Sequence, residues 1–356
     1  MKSKNLTKLV VVLAVVATLI LALPLASGCA TTTEPTTPTT PTTPEVFTFR
    51  VQTTHAPVET RLLTKPTFDD MEAMSGGRLK FEVFSGGELL PGDQIIPALQ
   101  AGTLDFAVGN APGWSAPIDL YPVSGHAVGR WASAAEMYTV FEREGFKELL
   151  FADYEELGGI KMIANRNCDP IHLVSNKPVE TYEDLKGMKI IADKSVSRPF
   201  TDAGASCVSL PVEEYYLAGQ TGVVDGLIWS GSTEVYANGW YEVFPYFLTN
   251  PLTGAASHKM AASLKSWESL PSDLQKIIEV AFVAAGIRSL TYYYQGEGQT
   301  RQYFTLTTFS DEDWAKMQAS IQDGYDELAQ VSSRAAEAVE ILKEYDARVE
   351  AAEWFR

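Results

Sequence analysis

The chain has 356 residues and carries 28 Lys and Arg against 45 Asp and Glu, a net charge of −17. That length exceeds what one hydrophobic core usually serves, so two domains are expected in the part that folds. The acidic balance excludes nucleic acid as a partner, because phosphate recognition needs a basic face.

Lys2, Lys4 and Lys8 precede a predominantly apolar run, Leu9 to Leu23, and "LASG" stands immediately before Cys29. This is an export signal rather than a membrane span, since the run falls short of the roughly 20 residues a bilayer needs and Pro24 ends it. "LASGC" resembles the lipobox of bacterial lipoproteins, which implies cleavage and lipidation at Cys29. Residues 29–45, rich in Thr and Pro, read as an extended tether. Without the three signal lysines the remaining chain has a net charge of −20.

"VFTFRVQTT" alternates apolar and polar residues as a strand and leads into a helix that ends near Met74 at "SGG", after which "RLKFEVF" alternates again. A helix from about Gly92 to Gln100 stops at Gly102, and "TLDFAVG" follows as a third strand. "IKMIA" and "IHLVSN" read as later strands. From Thr181 the alternation repeats as a short helix, "MKIIAD", "VSRPFTDAGA", "CVSLP", "VEEYYLAGQTG" and "VVDGLIW", giving a second α/β unit. Two phrases match across the units, "ALQAGTLDF" and "AGQTGVVDG". Their Asp105 and Asp225 each follow a helix-ending Gly and read as turn or capping residues. Ligands of parallel sheets meet the carboxyl ends of the strands, so Gly109 to Trp114 and Ile228 to Gly231 are expected to wall a crevice. The remainder is helical: one helix over 266–294, broken once at Pro271, then "GEGQTR" as a loop, then a run starting at Ser310.

Among chemical signatures, a phosphate loop, a nucleophile elbow, a Cys-x-x-Cys pair and His-Glu-x-x-His are all missing. His55, His126, His172 and His258 lack metal-ligand spacing, so no catalytic residue, metal or cofactor is assigned. Cys168 and Cys207 are candidates for a disulfide in an oxidising compartment, although spacing alone does not pair them. Trp114, Trp229, Trp240 and Tyr236 fall near the expected crevice, where flat apolar faces enclose small ligands.

"GGRLKFEVFSGGELLPGDQIIPALQAGTLDFAV", "YEDLKGMKI", "GASCVSLPVEEYYLAGQTGVVDG" and "SLPSDLQKII", in that order, resemble the DctP-type solute-binding proteins of tripartite ATP-independent periplasmic (TRAP) transporters. The resemblance implies an α/β, two-lobe periplasmic binding protein fold with hinge strands and long C-terminal helices. Lobe I would comprise residues 46–169 with 255–290, and lobe II residues 170–254 with 291–356. It implies capture of a small organic ligand by lobe closure and delivery to membrane permease subunits. The alternatives are the binding component of a signalling system and an exported hydrolase or lyase. In that family an Arg at the end of the strand beginning "LKGLK" grips a carboxylate; here it is Ile191. A second basic position matches His172, and Ile228 replaces the Glu that precedes Trp229 in the keto-acid branch. Arg166 and Arg198 are candidate substitutes for the missing cation. With Asn110, they complete the expected ligand site of Asn110, Trp114, Arg166, His172, Ile191, Arg198, Trp229 and Tyr236. A neutral, aromatic or cationic ligand between Trp114 and Trp229 is favoured over a dicarboxylate.

Overall fold

The computed structural model describes residues 45–167 and 169–352. The signal segment, Cys29 with most of its tether, and Cys168 lie outside the described residues.

The strands, in chain order, are β1 (Phe47–Thr53), β2 (Leu79–Phe84), β3 (Phe106–Gly109), β4 (Ile160–Asn167) and β5 (Ile171–Ser175). They continue as β6 (Lys189–Ile191), β7 (Ser206–Val208), β8 (Gly226–Ser230), β9 (Tyr246–Leu248), β10 (Ser257–Ser263) and β11 (Thr305–Thr307). They form two sheets, ordered β2-β1-β3-β10-β4 and β11-β9-β5-β8-β6-β7. The parallel units read from the sequence are present as β2-β1-β3 and β8-β6-β7. Between and beside them run antiparallel strands: β10 pairs with both β3 and β4, and β5 pairs with both β8 and β9. Strand β10 escaped the sequence reading because "SHKMAAS" shows no alternation; nearly all of it is buried.

The twice-written phrase has one structural meaning. Gly102 and Gly222 adopt φ of +66° and +68°, the left-handed turn that ends each helix and that a side chain resists. Just beyond, Asp105 Oδ2 accepts from the amide of Arg50 at 2.8 Å, and Asp225 Oδ2 accepts from the amide of Lys189 at 2.9 Å. Each carboxylate pins the neighbouring parallel strand, β1 in one sheet and β6 in the other. Both therefore sit at the end of the sheet opposite the ligand crevice, in the structural role expected.

The chain passes between the sheets three times. The β4–β5 and β9–β10 connections run side by side, with Ala256 N donating to Asp169 O at 2.8 Å and Leu252 N to Ile171 O at 2.7 Å. The third passage is the helix Ser272–Thr300, which packs on β4 and on the helix Lys65–Met74 with one part and on the helix Ser232–Ala237 with another. It absorbs the "GEGQTR" segment that reads as a loop, and Gly296 shows why. A Cβ at Gly296 would lie 2.3 Å from Thr233 Oγ1, so the glycine is a close-approach residue inside a helix. The C-terminal run is two helices, Asp311–Leu328 and Ser333–Ala351, each opened by a serine whose hydroxyl accepts an amide.

Candidate functional site

A cavity of about 670 Å³ lies between the two sheets, where the carboxyl ends of β1, β3, β6 and β8 meet. Residues from both anticipated walls line it, among them Asn110, Pro112 and Gly113 on one side and Ile228, Trp229 and Ser230 on the other. Ile191 lines it too, as an apolar surface where the resemblance would have an Arg. Asn110 is partly committed elsewhere, because its Oδ1 caps the next short helix by accepting from Gly113 N at 3.1 Å.

Four expected residues are placed away from the cavity. Trp114 is fully buried in the core, edge-on to Tyr154 with 5.6 Å between ring centroids. His172 sits on β5 one residue beyond Ile171; since side chains alternate along a strand, Ile171 lines the cavity and His172 faces away. Its Nδ1 lies 2.9 Å from Leu248 O, and burial pushes the imidazole down to about 4, so it is neutral and structural. Tyr236 stacks between Tyr241 and Tyr303 and is not part of the cavity lining. Arg198 points to Asp202 and Glu327 at the surface. Trp240, also expected nearby, packs with Tyr215 and Trp229 behind the cavity wall.

Arg166 is fully buried beside the cavity rather than lining it, with Nη2 3.3 Å from Thr64 Oγ1 and the guanidinium 5.4 Å from the Phe282 ring. Cys207 is a free thiol, 3.7 Å from the Ser197 carbonyl, and burial pushes it up to about 11. The pairing partner considered for it, Cys168, is outside the described residues.

The fold also assembles what the sequence kept apart. His55, Glu59 and His258 come from β1's exit loop, the following helix and β10, and all three line the cavity. His55 Nε2 lies 2.7 Å from His258 Nδ1 and 3.5 Å from Glu59 Oε1, and His258 Nδ1 lies 3.9 Å from the same oxygen. Two backbone irregularities flank them. Thr60–Thr64 is wound as a π-helix immediately after Glu59, and β10 carries a bulge between Met260 and Ala261. Burial, helped by the Arg166 charge, holds His55 well below the usual imidazole range, while burial and the charge of Glu234 raise Glu59 well above the carboxylate range.

Asp169, Trp229 and Tyr215 line the cavity as well. Asp169 is buried, and its Oδ2 has no hydrogen-bond partner among the described residues. Desolvation pushes its carboxyl up to about 7 even though Ser230 hydrogen-bonds it. Asp93, Asp193 and Glu213 add three further carboxylates to the lining, and no Lys or Arg side chain is part of it among the described residues.

Two lobes around a polar cavity, joined by paired crossing segments, define a ligand-capturing binding protein. The chain belongs to the DctP family of bacterial extracellular solute-binding proteins, family 7, whose model matches residues 57–331. Its fold is that of the TRAP periplasmic solute-binding proteins, which bind solutes rather than transform them. One such protein, from Chromohalobacter salexigens, was solved with bound (S)-(+)-2-amino-1-propanol. It is 29% identical with a TM-score of 0.82 over 86% of this chain and 98% of that one. Another, from Pseudoalteromonas atlantica, with bound sodium and pyruvate, is 22% identical with a TM-score of 0.78 over 87% of this chain and 97% of that one. A Nostoc monocarboxylate 2-oxoacid-binding periplasmic protein is 24% identical over 299 residues, 77% of this chain and 76% of its own. The chain is thus an exported solute-binding protein for a small organic ligand, and no helix among the described residues is long and apolar enough to cross a membrane.

Proposed function

We propose that this protein captures a small solute bearing a protonated amine, with Asp169 as its counter-ion and the Trp229 and Tyr215 rings as its apolar walls. The carrying observation is the make-up of the cavity wall: the carboxyl groups of Asp93, Asp169, Asp193 and Glu213 line it, with no Lys or Arg among the described residues of the lining. The amino alcohol held by the Chromohalobacter salexigens protein supports the reading. Arg166 does not serve as the moved carboxylate grip in this view, because its guanidinium is buried against Thr64 and Phe282.

Lobe I is assigned residues 46–169 with 255–290, and lobe II residues 170–254 with 291–356, the boundary near 290 falling within one continuous helix. The loaded protein hands its solute to TRAP-type permease subunits while held to the membrane by a lipid on Cys29.

Calorimetric titration with 2-amino-1-propanol, ethanolamine and pyruvate tests the ligand class. Binding of the amines but not of pyruvate is expected, and tight pyruvate binding alone overturns it. For the anchor, Cys29→Ala is expected to release the protein from the membrane fraction; unchanged retention and mass exclude lipidation.

A further inference from the structure

The His55, Glu59 and His258 cluster has no role in holding an ammonium group, because two imidazoles offer that cation little. We propose that these three side chains form a binding site for a divalent transition-metal ion of the zinc type, with one coordination position open to the cavity. The inference is independent of the solute assigned above and is tested with metal alone.

Three donor atoms converge on one point: His55 Nε2, His258 Nδ1 and Glu59 Oε1, mutually separated by 2.7, 3.5 and 3.9 Å. Ligands about 2.0–2.1 Å from a tetrahedral ion stand about 3.3 Å from one another. The distance from His55 to Glu59, 3.5 Å, is already close to that spacing, and the one from His258, 3.9 Å, has to shorten by about 0.6 Å. The two imidazoles must part by about 0.6 Å, exchanging the proton shared between them for the ion. Glu59 Oε1 is buried and has no hydrogen-bond partner among the described residues, which is costly for a carboxylate oxygen unless something positive arrives.

Outer contacts suit the same role. His55 Nδ1 lies 2.7 Å from Thr64 Oγ1, so its other nitrogen is aimed and its ring fixed, the support a metal-binding imidazole characteristically receives. The Arg166 guanidinium also faces the cluster and opposes a cation there. It makes no ion pair with Glu59 within 4 Å among the described contacts, and the carboxyl groups of Asp169 and Glu234 stand near enough to act on the same cluster. Two nitrogen donors and one oxygen select zinc, nickel, cobalt or copper over calcium, magnesium or sodium, which prefer all-oxygen sites. All three ligands line the cavity, so the fourth position faces bound solute and takes a nitrogen or oxygen donor from it, or water.

The test uses the full-length protein freed of metal with EDTA and dialysed. Isothermal titration with Zn²⁺ is expected to give one ion per chain, with Ca²⁺ binding at least about 100-fold more weakly. Co²⁺ should give the intense visible bands of a four-coordinate site. Glu59→Gln preserves shape and His258→Ala removes a ligand; each is expected to weaken Zn²⁺ binding at least about 10-fold and to bleach the Co²⁺ bands. Circular dichroism on both variants verifies folding, and Glu59→Gln decides the matter if His258→Ala unfolds. Absence of Zn²⁺ binding, binding unchanged in Glu59→Gln, or Ca²⁺ binding as tight as Zn²⁺ overturns the proposal.

Discussion

Tyr215 meets Trp229 edge to face, with ring centroids 5.5 Å apart and planes at 85°, so the indole is fixed in orientation where it borders the cavity. A pre-set aromatic face is worth about 1–2 kcal/mol toward a desolvated cation. Trp229→Ala should therefore weaken 2-amino-1-propanol binding about tenfold by calorimetry. A smaller loss than twofold removes the ring from the ligand site.

Asp169 gives the pH dependence. Its carboxyl titrates at about 7 in the folded protein against an ordinary value of 3.8, because burial disfavours the anion. The folded state thus holds a proton that the unfolded state has released, and this group's contribution to stability declines as pH rises from about 4 to about 7. Amine binding runs the other way, since the ammonium needs the anion: affinity should rise with pH up to about 7 and then level off. Asp169→Asn should flatten both trends, as read by thermal melts and titrations between pH 5 and 8.

Gly296→Ala places a methyl group against Thr233, where the space is already filled. Overpacking of this kind costs about 1–3 kcal/mol, so urea denaturation should show a lower midpoint. Partial restoration by the double substitution Gly296→Ala with Thr233→Ala, which removes the two nearest atoms and leaves a Cβ 2.9 Å away, would show that the clash is local; no restoration at all would point to a wider disturbance of the helix.

Arg198 makes only surface ion pairs, with Asp202 and Glu327. Arg198→Ala is expected to leave ligand affinity unchanged and to shift stability by no more than about 0.5 kcal/mol. A tenfold loss of affinity would return this residue to the binding site.

The sequence reveals the parallel units well, because alternation in "VFTFRVQTT" and helix-ending glycines such as Gly102 are local signals. It also locates the cavity walls at the carboxyl ends of β3 and β8. It does not reveal which way a side chain faces when neighbours on both faces are buried. Every residue of β5 is buried, so Ile171 and His172 look equivalent until the pairing with β8 and β9 is known. Trp114 misleads for a related reason: the short helix Ala111–Trp114 turns it back into the core. The histidine cluster was illegible because its members are separated by up to 203 residues and the third lies on a strand without alternation. Only the tertiary pairing of β10 with β3 and β4 makes them neighbours.

The 29-residue helix Ser272–Thr300 has a mechanical consequence. At 1.5 Å per residue it is a rod about 44 Å long. Its start and middle are tied to the first lobe, by Asp273 to Arg78 and Arg288 to Asp70, each at 2.5 Å. Its end is tied to the second lobe, where Glu297 Oε1 accepts from Thr233 N at 3.0 Å. Swinging the lobes apart has to flex this rod or lift it from one of its seats. A rod seated on both sides is thus a stiff brace that any rotation of one sheet against the other must work against.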